Sequence, residues 1–260
     1  MIWKMKSNRL LLTMLFLFWL APLVAFSDGQ SAALFEKGNN DYAKGMYKEA
    51  LTSYQSLVND GYQSASLYFN MGNASYKLAD YPSAILYYEK AHKLAPGDDD
   101  INFNIRFSNL KTTDKIDELP EFFLARWWRN FILWFSISSL ATVSVLLVLL
   151  ASAMLILYFF SGSVATKKFS FYTSLIFFGV GLLSLLMAIG QGSYFNDHKQ
   201  AIIFSGAVSV KNSPLEKSGT LLILHDGTKV NILESNNNWF KIRLANGNEG
   251  WIKASDVKEI

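Results

Sequence analysis

Two long runs without a charged residue constrain this chain more than any other feature. One extends from Asn130 to Thr166 and the other from Phe169 to Asn196. A helix needs about 20 consecutive apolar residues to cross the hydrocarbon core of a bilayer. Both runs exceed that length, so the sequence predicts transmembrane helices near 134–160 and 170–191. The alternative, two helices buried in a globular core, requires a larger domain than the rest of the chain provides.

The charges that flank these runs give conflicting topology signals. The short segment 161–169 between the runs contains Lys167 and Lys168, which favours a cytoplasmic turn because cytoplasmic loops are enriched in basic residues. Arg126 and Arg129, ahead of the first run, favour the opposite orientation. The N-terminus decides between the two.

Residues 1–27 have the organisation of a secretory signal peptide. A basic start contains Lys4, Lys6 and Arg9. An apolar stretch follows, and Ala25 and Ser27 are small residues where a signal peptidase reads the chain. We predict cleavage after Ser27, with an uncleaved anchor as the alternative. Either form exports the chain from about residue 28, so we expect an inner (cytoplasmic) membrane protein with both soluble parts on the periplasmic side.

Six residues recur identically after 34 positions. The pairs are Gly38/Gly72, Asn39/Asn73, Tyr42/Tyr76, Tyr47/Tyr81, Ala50/Ala84 and Tyr54/Tyr88. This period is typical of stacked helix–turn–helix units. We expect Gly72 to face Ala84 at a close helix crossing and Tyr88 to fill the gap to the next repeat. On that reading Gly72→Leu is damaging, whereas Gly72→Ala is mild or stabilising.

The second copy also carries helix boundary signals. Asp80 is placed to cap a helix with Pro82 in its first turn, and Pro96 ends that helix. The pattern Met71-Gly72, Ala84-x3-Tyr88 and Pro96 resembles the tetratricopeptide repeat family. We place this domain at 28–119 and interpret 99–118 as a closing helix, because Arg106 occupies the glycine position of a third copy.

The resemblance implies a concave groove that binds extended peptides or partner helices. Its inward face is predicted to carry Phe35, Asn39, Tyr42, Phe69, Asn73, Tyr76 and Lys77. Asparagine amides can hold a peptide backbone, and aromatic rings supply contact area. The Asn39/Asn73 pair has two explanations: contact with a bound chain, or contacts between the repeats themselves.

An aromatic segment precedes the first apolar run. Residues 120–133 contain Phe122, Phe123, Trp127 and Trp128 together with two arginines. These residue types concentrate at membrane interfaces. We predict a short helix over 121–130 on the membrane surface. A docking edge for another membrane protein is the alternative.

Residues 200–260 change to short alternating stretches separated by Asn/Asp/Gly turns, which predicts a small all-β barrel of about five strands. Phe240, Ile242 and Leu244 share one strand face. The segments "DGTKVNILE" and "NNWFKIRLANGNEGWIKASDV" resemble a bacterial SH3 domain. Lys253 stands where such domains usually have proline. Trp239 and Trp251 are predicted to contact a ligand or, alternatively, to form a half-buried barrel rim.

Chemistry-bearing motifs are missing from the sequence. It has no cysteine, and His92, His198 and His225 show no metal or triad spacing. The acidic run 98–100 is interpreted as the start of a helix, with a calcium site as the alternative. A net charge of +3 without a basic patch argues against nucleic acid. We therefore predict no catalytic residues, no metal, no cofactor and no enzymatic activity.

The fold class is thus a multi-domain membrane protein with α-helical tetratricopeptide repeats, two transmembrane helices and a small SH3-like barrel. This order resembles the BatE proteins of the Bacteroides aerotolerance operon group. The resemblance implies a scaffold in an envelope complex, linked to aerotolerance or stress tolerance. It also implies as partners membrane proteins of the same operon with von Willebrand A domains. The alternatives are a cell-wall sensor with its barrel on peptidoglycan and a hydrolase or regulator with hidden catalysis.

Overall fold

The computed structural model describes residues 29–117, 119–120 and 122–260, without the side chains of Ala125 and Asp197. The predicted signal peptide lies outside the described residues. The helices are α1 Gly29–Ala43, α2 Tyr47–Asn59, α3 Ala65–Lys77, α4 Tyr81–Leu94, α5 Asp99–Asn109, α6 Phe123–Ile132, α7 Ile137–Phe160 and α8 Val164–Asp197. The strands are β1 Gln200–Ile203, β2 Ala207–Lys211, β3 Thr220–His225, β4 Lys229–Asn236, β5 Trp239–Arg243, β6 Glu249–Lys253 and β7 Val257–Glu259.

Side-chain caps begin the helices of the repeat domain. The Asp80 carboxylate accepts a hydrogen bond from the Ser83 amide at 3.1 Å, and Pro82 occupies the first turn of α4, as predicted. Asp98 accepts from the amides of Asp100 and Ile101 at the start of α5. The acidic run 98–100 is therefore helix-opening chemistry.

The predicted closing helix is too long. Helix α5 ends at Asn109, and residues 110–117 are not helical. This segment contacts the C-terminal sheet domain instead (residues 200–260, called the β-domain below), through Thr112, Asp114 and Ile116. Tertiary contacts thus replace the last helical turns.

Two apolar helices, α7 and α8, pack as a hairpin along a seam of small residues. The Ser174 hydroxyl donates to the Ala151 carbonyl at 2.9 Å, and the Ser184 hydroxyl donates to the Leu140 carbonyl at 3.1 Å. Gly181 allows the close approach, because a Cβ there would lie 3.3 Å from the Leu147 Cβ. Both helices are long and apolar enough to cross a membrane.

The bounds of this hairpin differ from the sequence expectation. Helix α8 begins at Val164, so only Ser161–Ser163 connects the helices, not 161–169. Lys167 and Lys168 lie in the first turns of α8. The helix also continues past residue 191, through Gly192, to Asp197.

The C-terminal domain is a seven-stranded antiparallel sheet in the order β3-β2-β6-β5-β4-β1-β7. It has more strands than the five expected, because the terminal strands β1 and β7 pair with each other. Ile242 and Leu244 are buried in its core, and Phe240 packs partly against it, which confirms the predicted apolar face of β5. Trp239 and Lys241 lie on the other face.

Candidate functional site

In each repeat a tyrosine ring of the second helix packs against a glycine of the first helix. We call the space left by the missing side chain of Gly38 or Gly72 the glycine notch. A Cβ at Gly72 would lie 2.5 Å from the Tyr88 ring, and Gly38 meets Tyr54 in the same way. Tyr88, which was expected to fill the gap to the next repeat, thus lies directly against Gly72 of its own repeat. The tyrosine packs back onto the first helix of its own repeat, because only glycine leaves room for a ring there.

The paired asparagines hold these tyrosines. The Tyr54 hydroxyl donates to Asn39 Oδ1 at 2.8 Å, and the Tyr88 hydroxyl donates to Asn73 Oδ1 at 2.7 Å. Asn39 Oδ1 also accepts from Asn70 Nδ2 at 2.9 Å, which links the two repeats. Among the described residues, the amide nitrogens of Asn39 and Asn73 have no hydrogen-bond partner. The oxygens of both asparagines therefore stabilise the repeat fold itself.

Burial maintains these tyrosines as hydrogen-bond donors. Desolvation raises the pKa of Tyr54 to about 12, although the Asn70 side chain acts in the opposite direction. Desolvation raises the pKa of Tyr88 as well, with additional increases from Tyr42 and Tyr76. Both hydroxyls therefore stay protonated at physiological pH.

The predicted groove aromatics are engaged within the repeats. Phe35 contacts Tyr54 with ring centroids 5.9 Å apart, and Phe69 contacts Tyr88 at 5.8 Å. Edge contacts at 5.2 and 5.4 Å form two more repeat-related pairs, Tyr42–Tyr47 and Tyr76–Tyr81. All four predicted rings are half-buried, so part of each ring stays exposed.

Sequence reasoning missed an exposed aromatic pair on α5. Phe103 and Phe107 stack at 5.8 Å on α5 and are 56% and 41% exposed. Tyr76 contacts Phe107 at 5.5 Å, which joins α3 to α5. Lys77 and Arg106 are exposed on the same two helices. The i, i+3, i+4 spacing of residues 103, 106 and 107 was the signal that could have shown this face.

The two predicted barrel tryptophans lie on the outward face of β5 and β6. Trp239 pairs with Lys253 across the strands, and Lys241 pairs with Trp251. Both indoles are half-buried. Trp239 lines a cleft of about 450 Å³ together with Glu216, Asn238, Lys253, Ala254 and Ser255. Trp251 does not line this cleft.

Acidic neighbours pair with the basic groups of this face. Lys253 forms an ion pair with Glu216 at 2.6 Å, and Arg243 forms one with Glu249 at 2.6 Å. Lys241 lies 3.5 Å from Glu234. The face is therefore aromatic and nearly neutral, which suits an uncharged polar ligand better than a polyanion.

The β-domain docks on the second helix of the second repeat. Ile85 and Leu86 of α4 form a buried cluster with Ile202 of β1, and Phe204 and Ile260 pack against it. At its border Lys229 pairs with Glu89 at 2.8 Å. The Glu89 side chain is only 5% exposed, so this pair is largely removed from water.

The linker carboxylate Asp114 secures this docking. It accepts from the His225 amide at 2.6 Å, contacts His225 Nδ1 at 2.9 Å and accepts from the Thr228 hydroxyl at 2.7 Å. Desolvation raises the pKa of Asp114, but these hydrogen bonds outweigh it and hold the pKa below its usual value. The carboxylate is therefore charged near neutral pH.

The repeats also contact the apolar hairpin at its open end, just before α7 begins and near the end of α8. Gly97 lies against the backbone carbonyl of Trp134, where a side chain has no room. His92 meets Phe195 edge-on with centroids 6.3 Å apart. Burial lowers the pKa of His92, so it is neutral and packs as an apolar ring.

No metal site emerges in the part of the chain that the structure describes. No group of three or more His, Asp or Glu side chains lies close enough there to hold an ion.

Comparison with known families identifies two modules. Residues 65–98 match the tetratricopeptide repeat, and residues 206–258 match the bacterial SH3 domain. No curated protein matches the chain. The chain therefore contains a tetratricopeptide repeat, a type of module that binds proteins, and a bacterial SH3 domain, a type associated with cell-wall binding. Modules of both types are typically non-catalytic.

Proposed function

We propose that this chain is a membrane-anchored, non-catalytic scaffold in a cell-envelope complex. One observation carries the proposal: the two recognition modules are packed together at one end of the apolar hairpin. The Ile85–Ile202 contact joins the modules, and the Gly97–Trp134 contact joins the repeats to the hairpin. This arrangement displays two binding surfaces at a constant distance from the anchor.

Membrane insertion is supported by the surface of the hairpin. Only 17% of the most apolar window of each helix is buried, whereas a helix in a soluble core is mostly buried. Helix α6 adds an exposed aromatic band beside it, including Trp127 and Trp128 at 63% and 57% exposure. These side chains suit the bilayer interface.

Fusions to alkaline phosphatase test this topology, because that enzyme is active only after export. A fusion after Val257 should be active, and a fusion after Lys168 should be inactive. The reverse pattern would place both modules in the cytoplasm and refute the envelope location.

The protein partner is proposed to bind the repeat groove at its α3–α5 end. Tyr76, Phe103 and Phe107 supply apolar area there, and Lys77 and Arg106 add positive charge. From the resemblance to the aerotolerance group, we propose membrane proteins with von Willebrand A domains as the partners. A link to oxygen or stress tolerance belongs to the same proposal.

Co-purification of the full-length protein from solubilised membranes tests the groove. Lys77→Glu with Arg106→Glu should abolish capture of von Willebrand A proteins, and Phe103→Ala should weaken it. Lys217→Glu is the matched control, because Lys217 is exposed and belongs to the β-domain, not to the repeats. Undiminished capture by the groove variants would remove the groove from the mechanism.

The cleft beside Trp239 favours a second candidate function, binding of peptidoglycan by the SH3 domain. Trp239→Ala should reduce sedimentation of the protein with purified cell-wall sacculi. Trp251→Ala is the control, since Trp251 lies on the same face without lining the cleft. Equal loss in both variants would argue for general adhesion of the tryptophan face.

A further inference from the structure

A polar cleft of about 410 Å³ lies where the two repeats meet. Its lining includes Leu51, Thr52, Gln55, Ser75, Asp80 and Tyr87. Most of these residues belong to the second helices of the repeats, α2 and α4, or to the turn before α4. None of the residues predicted for the groove lines this cleft, so it is a separate surface.

The second repeat shows what this surface can bind. Four cleft residues have counterparts 34 positions later, namely Leu51/Ile85, Thr52/Leu86, Gln55/Glu89 and Asp80/Asp114. All four counterparts contact the β-domain, through the apolar cluster around Ile202, the ion pair of Lys229 and the hydrogen bonds of Asp114. The cleft is therefore the first-copy form of a surface that binds a polypeptide in the second copy.

One short turn supplies the polar contacts in the second copy. It is the segment His225–Lys229, called the docked turn below. A single oxygen, Asp114 Oδ2, accepts hydrogen bonds from the first amide of the docked turn at 2.6 Å and from the Thr228 hydroxyl at 2.7 Å. The last residue of the turn pairs with Glu89 at 2.8 Å. The docked turn thus presents an amide, then a hydroxyl three residues later, then a charge.

A glycine lets the docked turn approach the repeats closely. Gly227, its third residue, has φ +83°, a conformation that other residues rarely adopt. A Cβ there would lie 2.6 Å from Thr112 Cγ2 and 3.6 Å from Ile85 Cδ1. A segment that docks in this geometry on the first copy therefore also needs glycine at its third position.

Hydrogen-bonding capacity in the cleft is left over by the described residues. Asp80 Oδ1 accepts from the Ser83 amide at 3.1 Å, whereas Asp80 Oδ2 has no hydrogen-bond partner among those residues. The Ser75 hydroxyl also lacks one there, although Ser75 is only 1% exposed. Buried hydroxyls are nearly always hydrogen-bonded, so one without a partner in the wall of a cleft points to a ligand. One available carboxylate oxygen is also what the docked turn uses on Asp114.

The two copies differ where the last residue of the turn would lie. Gln55 stands in place of Glu89, and its amide is engaged by the Tyr87 hydroxyl at 3.4 Å and by Asn59 Oδ1 at 3.1 Å. A neutral amide offers no ion pair to a lysine, so the first copy favours an uncharged polar residue at this place. The β-domain of a second copy is unsuited as the occupant, because its turn ends in lysine and is already held by its own Asp114.

We propose that the cleft docks a glycine-containing turn of another protein. That turn has an available backbone N–H at its first position, glycine at the third, serine or threonine at the fourth and an uncharged polar residue at the fifth. Asp80 Oδ2 accepts from the amide and the hydroxyl, Leu51 packs under the glycine, and Gln55 faces the fifth residue. The inference depends neither on the proposed groove partner nor on the membrane topology.

Cyclic peptides serve as probes, because cyclisation reduces the entropy lost when a turn is ordered. One contains Leu-His-Asp-Gly-Thr-Gln, and a second has Lys in place of the Gln. Fluorescence anisotropy of the labelled peptides measures binding to the full-length protein in detergent. Wild type should bind the Gln peptide at least as tightly as the Lys peptide. Gln55→Glu should reverse this order, so that the Lys peptide binds about fivefold more tightly.

A substitution at the carboxylate tests the main contact. Asp80→Asn should weaken binding of the Gln peptide about tenfold, since a charged acceptor makes the stronger hydrogen bonds. Asparagine still caps α4, so the circular dichroism spectrum should not change. Asp99→Asn is the matched control, because Asp99 is an exposed aspartate in the first turn of α5 and does not line the cleft.

Four results would overturn the proposal. They are no binding by wild type at about 1 mM peptide, equal binding by Asp80→Asn and wild type, an equal loss in Asp99→Asn, and an unchanged peptide preference in Gln55→Glu. Self-association of the protein that Asp80→Asn abolishes would overturn it as well, because the occupant would then be a second copy of this chain.

Discussion

The two repeats share an interior and differ in their outer surface. Both pack a tyrosine ring into a glycine notch and hold its hydroxyl with an asparagine, through Tyr54 and Asn39 in one copy and Tyr88 and Asn73 in the other. On the outside, Ile85, Leu86 and Glu89 of the second copy are buried against the β-domain. The equivalent residues of the first copy are Leu51, Thr52 and Gln55, which have no such cover.

This difference separates two kinds of sequence signal. Residues that recur after 34 positions build the helical hairpin, and they are the same wherever the hairpin is used. Residues that change between the copies decide what each hairpin touches. The second copy is the one that matches the tetratricopeptide repeat model, and it is also the one that carries the β-domain.

Filling the glycine notch should have the largest effect, and the effect should be equal in both copies. Gly72→Leu and Gly38→Leu should each lower the free energy of unfolding by about 3 kcal/mol, because the new side chain overlaps a buried tyrosine ring. Gly→Ala should also destabilise, since the clash exceeds the gain of about 1 kcal/mol in helix propensity. Thermal unfolding of the purified protein measures this. An alanine variant at Gly72 as stable as wild type would show that the ring can move aside.

Breaking the docking contact should affect only the second copy. Lys229→Met leaves the buried Glu89 without its partner and should cost about 1–2 kcal/mol, less than a fully buried pair because the Lys229 side chain is 39% exposed. Hydrogen exchange of the β1 amides should rise. Gln55 occupies the position of the first copy that corresponds to Glu89. Gln55→Met is therefore the control and should leave the β1 amides protected from exchange. Equal exchange in the two variants would contradict the docking role of Glu89.

Removing the tyrosine hydroxyls should sharpen the comparison. Tyr88→Phe should cost about 1 kcal/mol, because Asn73 Oδ1 loses the hydrogen bond from that hydroxyl. Tyr54→Phe should cost less, since Asn39 still accepts from Asn70. Urea unfolding of the two variants measures the difference. A larger loss for Tyr54→Phe would mean that the Asn39–Asn70 bond contributes little.

Lowering the pH should weaken the docking of the β-domain on the repeats. Of the four effects predicted here, this one should be the smallest. The pKa of Asp114 is lowered in the folded protein, so its contribution is complete above the ordinary carboxyl pKa. That contribution declines as the pH falls through the lowered value. Exchange at β1 should therefore increase below about pH 4 in wild type. In Asp114→Asn the exchange should already be raised at neutral pH and should depend less on pH. Identical pH profiles would exclude Asp114 as the cause.

Local signals in the sequence predicted the elements well. The cap at Asp80, the helix end before Pro96 and the alternation of β5 all appear as expected, because each depends on neighbouring residues. The direction of Tyr88 was not predictable from the same pattern. The recurrence of glycine and tyrosine after 34 positions indicates that both residues have a structural role. It does not indicate that the tyrosine ring packs against the first helix of its own repeat.

Contacts between distant segments were the main omission. Asp114 and His225 are 111 residues apart, and Glu89 and Lys229 are 140 residues apart. No periodicity connects such residues, and each is an ordinary surface type when considered alone. The early end of α5 has the same origin, since residues after Asn109 leave the helix to reach the β-domain.

The contact at Gly97 gives the molecule a mechanical property. The end of α4 and the turn after it touch Trp134, just before α7, through Gly97, and touch Phe195, near the end of α8, through His92. One short segment of the repeats, residues 92–97, therefore contacts the hairpin beside both of its helices, at the same end. A pull on the repeats is therefore shared between the two helices and acts on the hairpin as a unit, without separating α7 from α8.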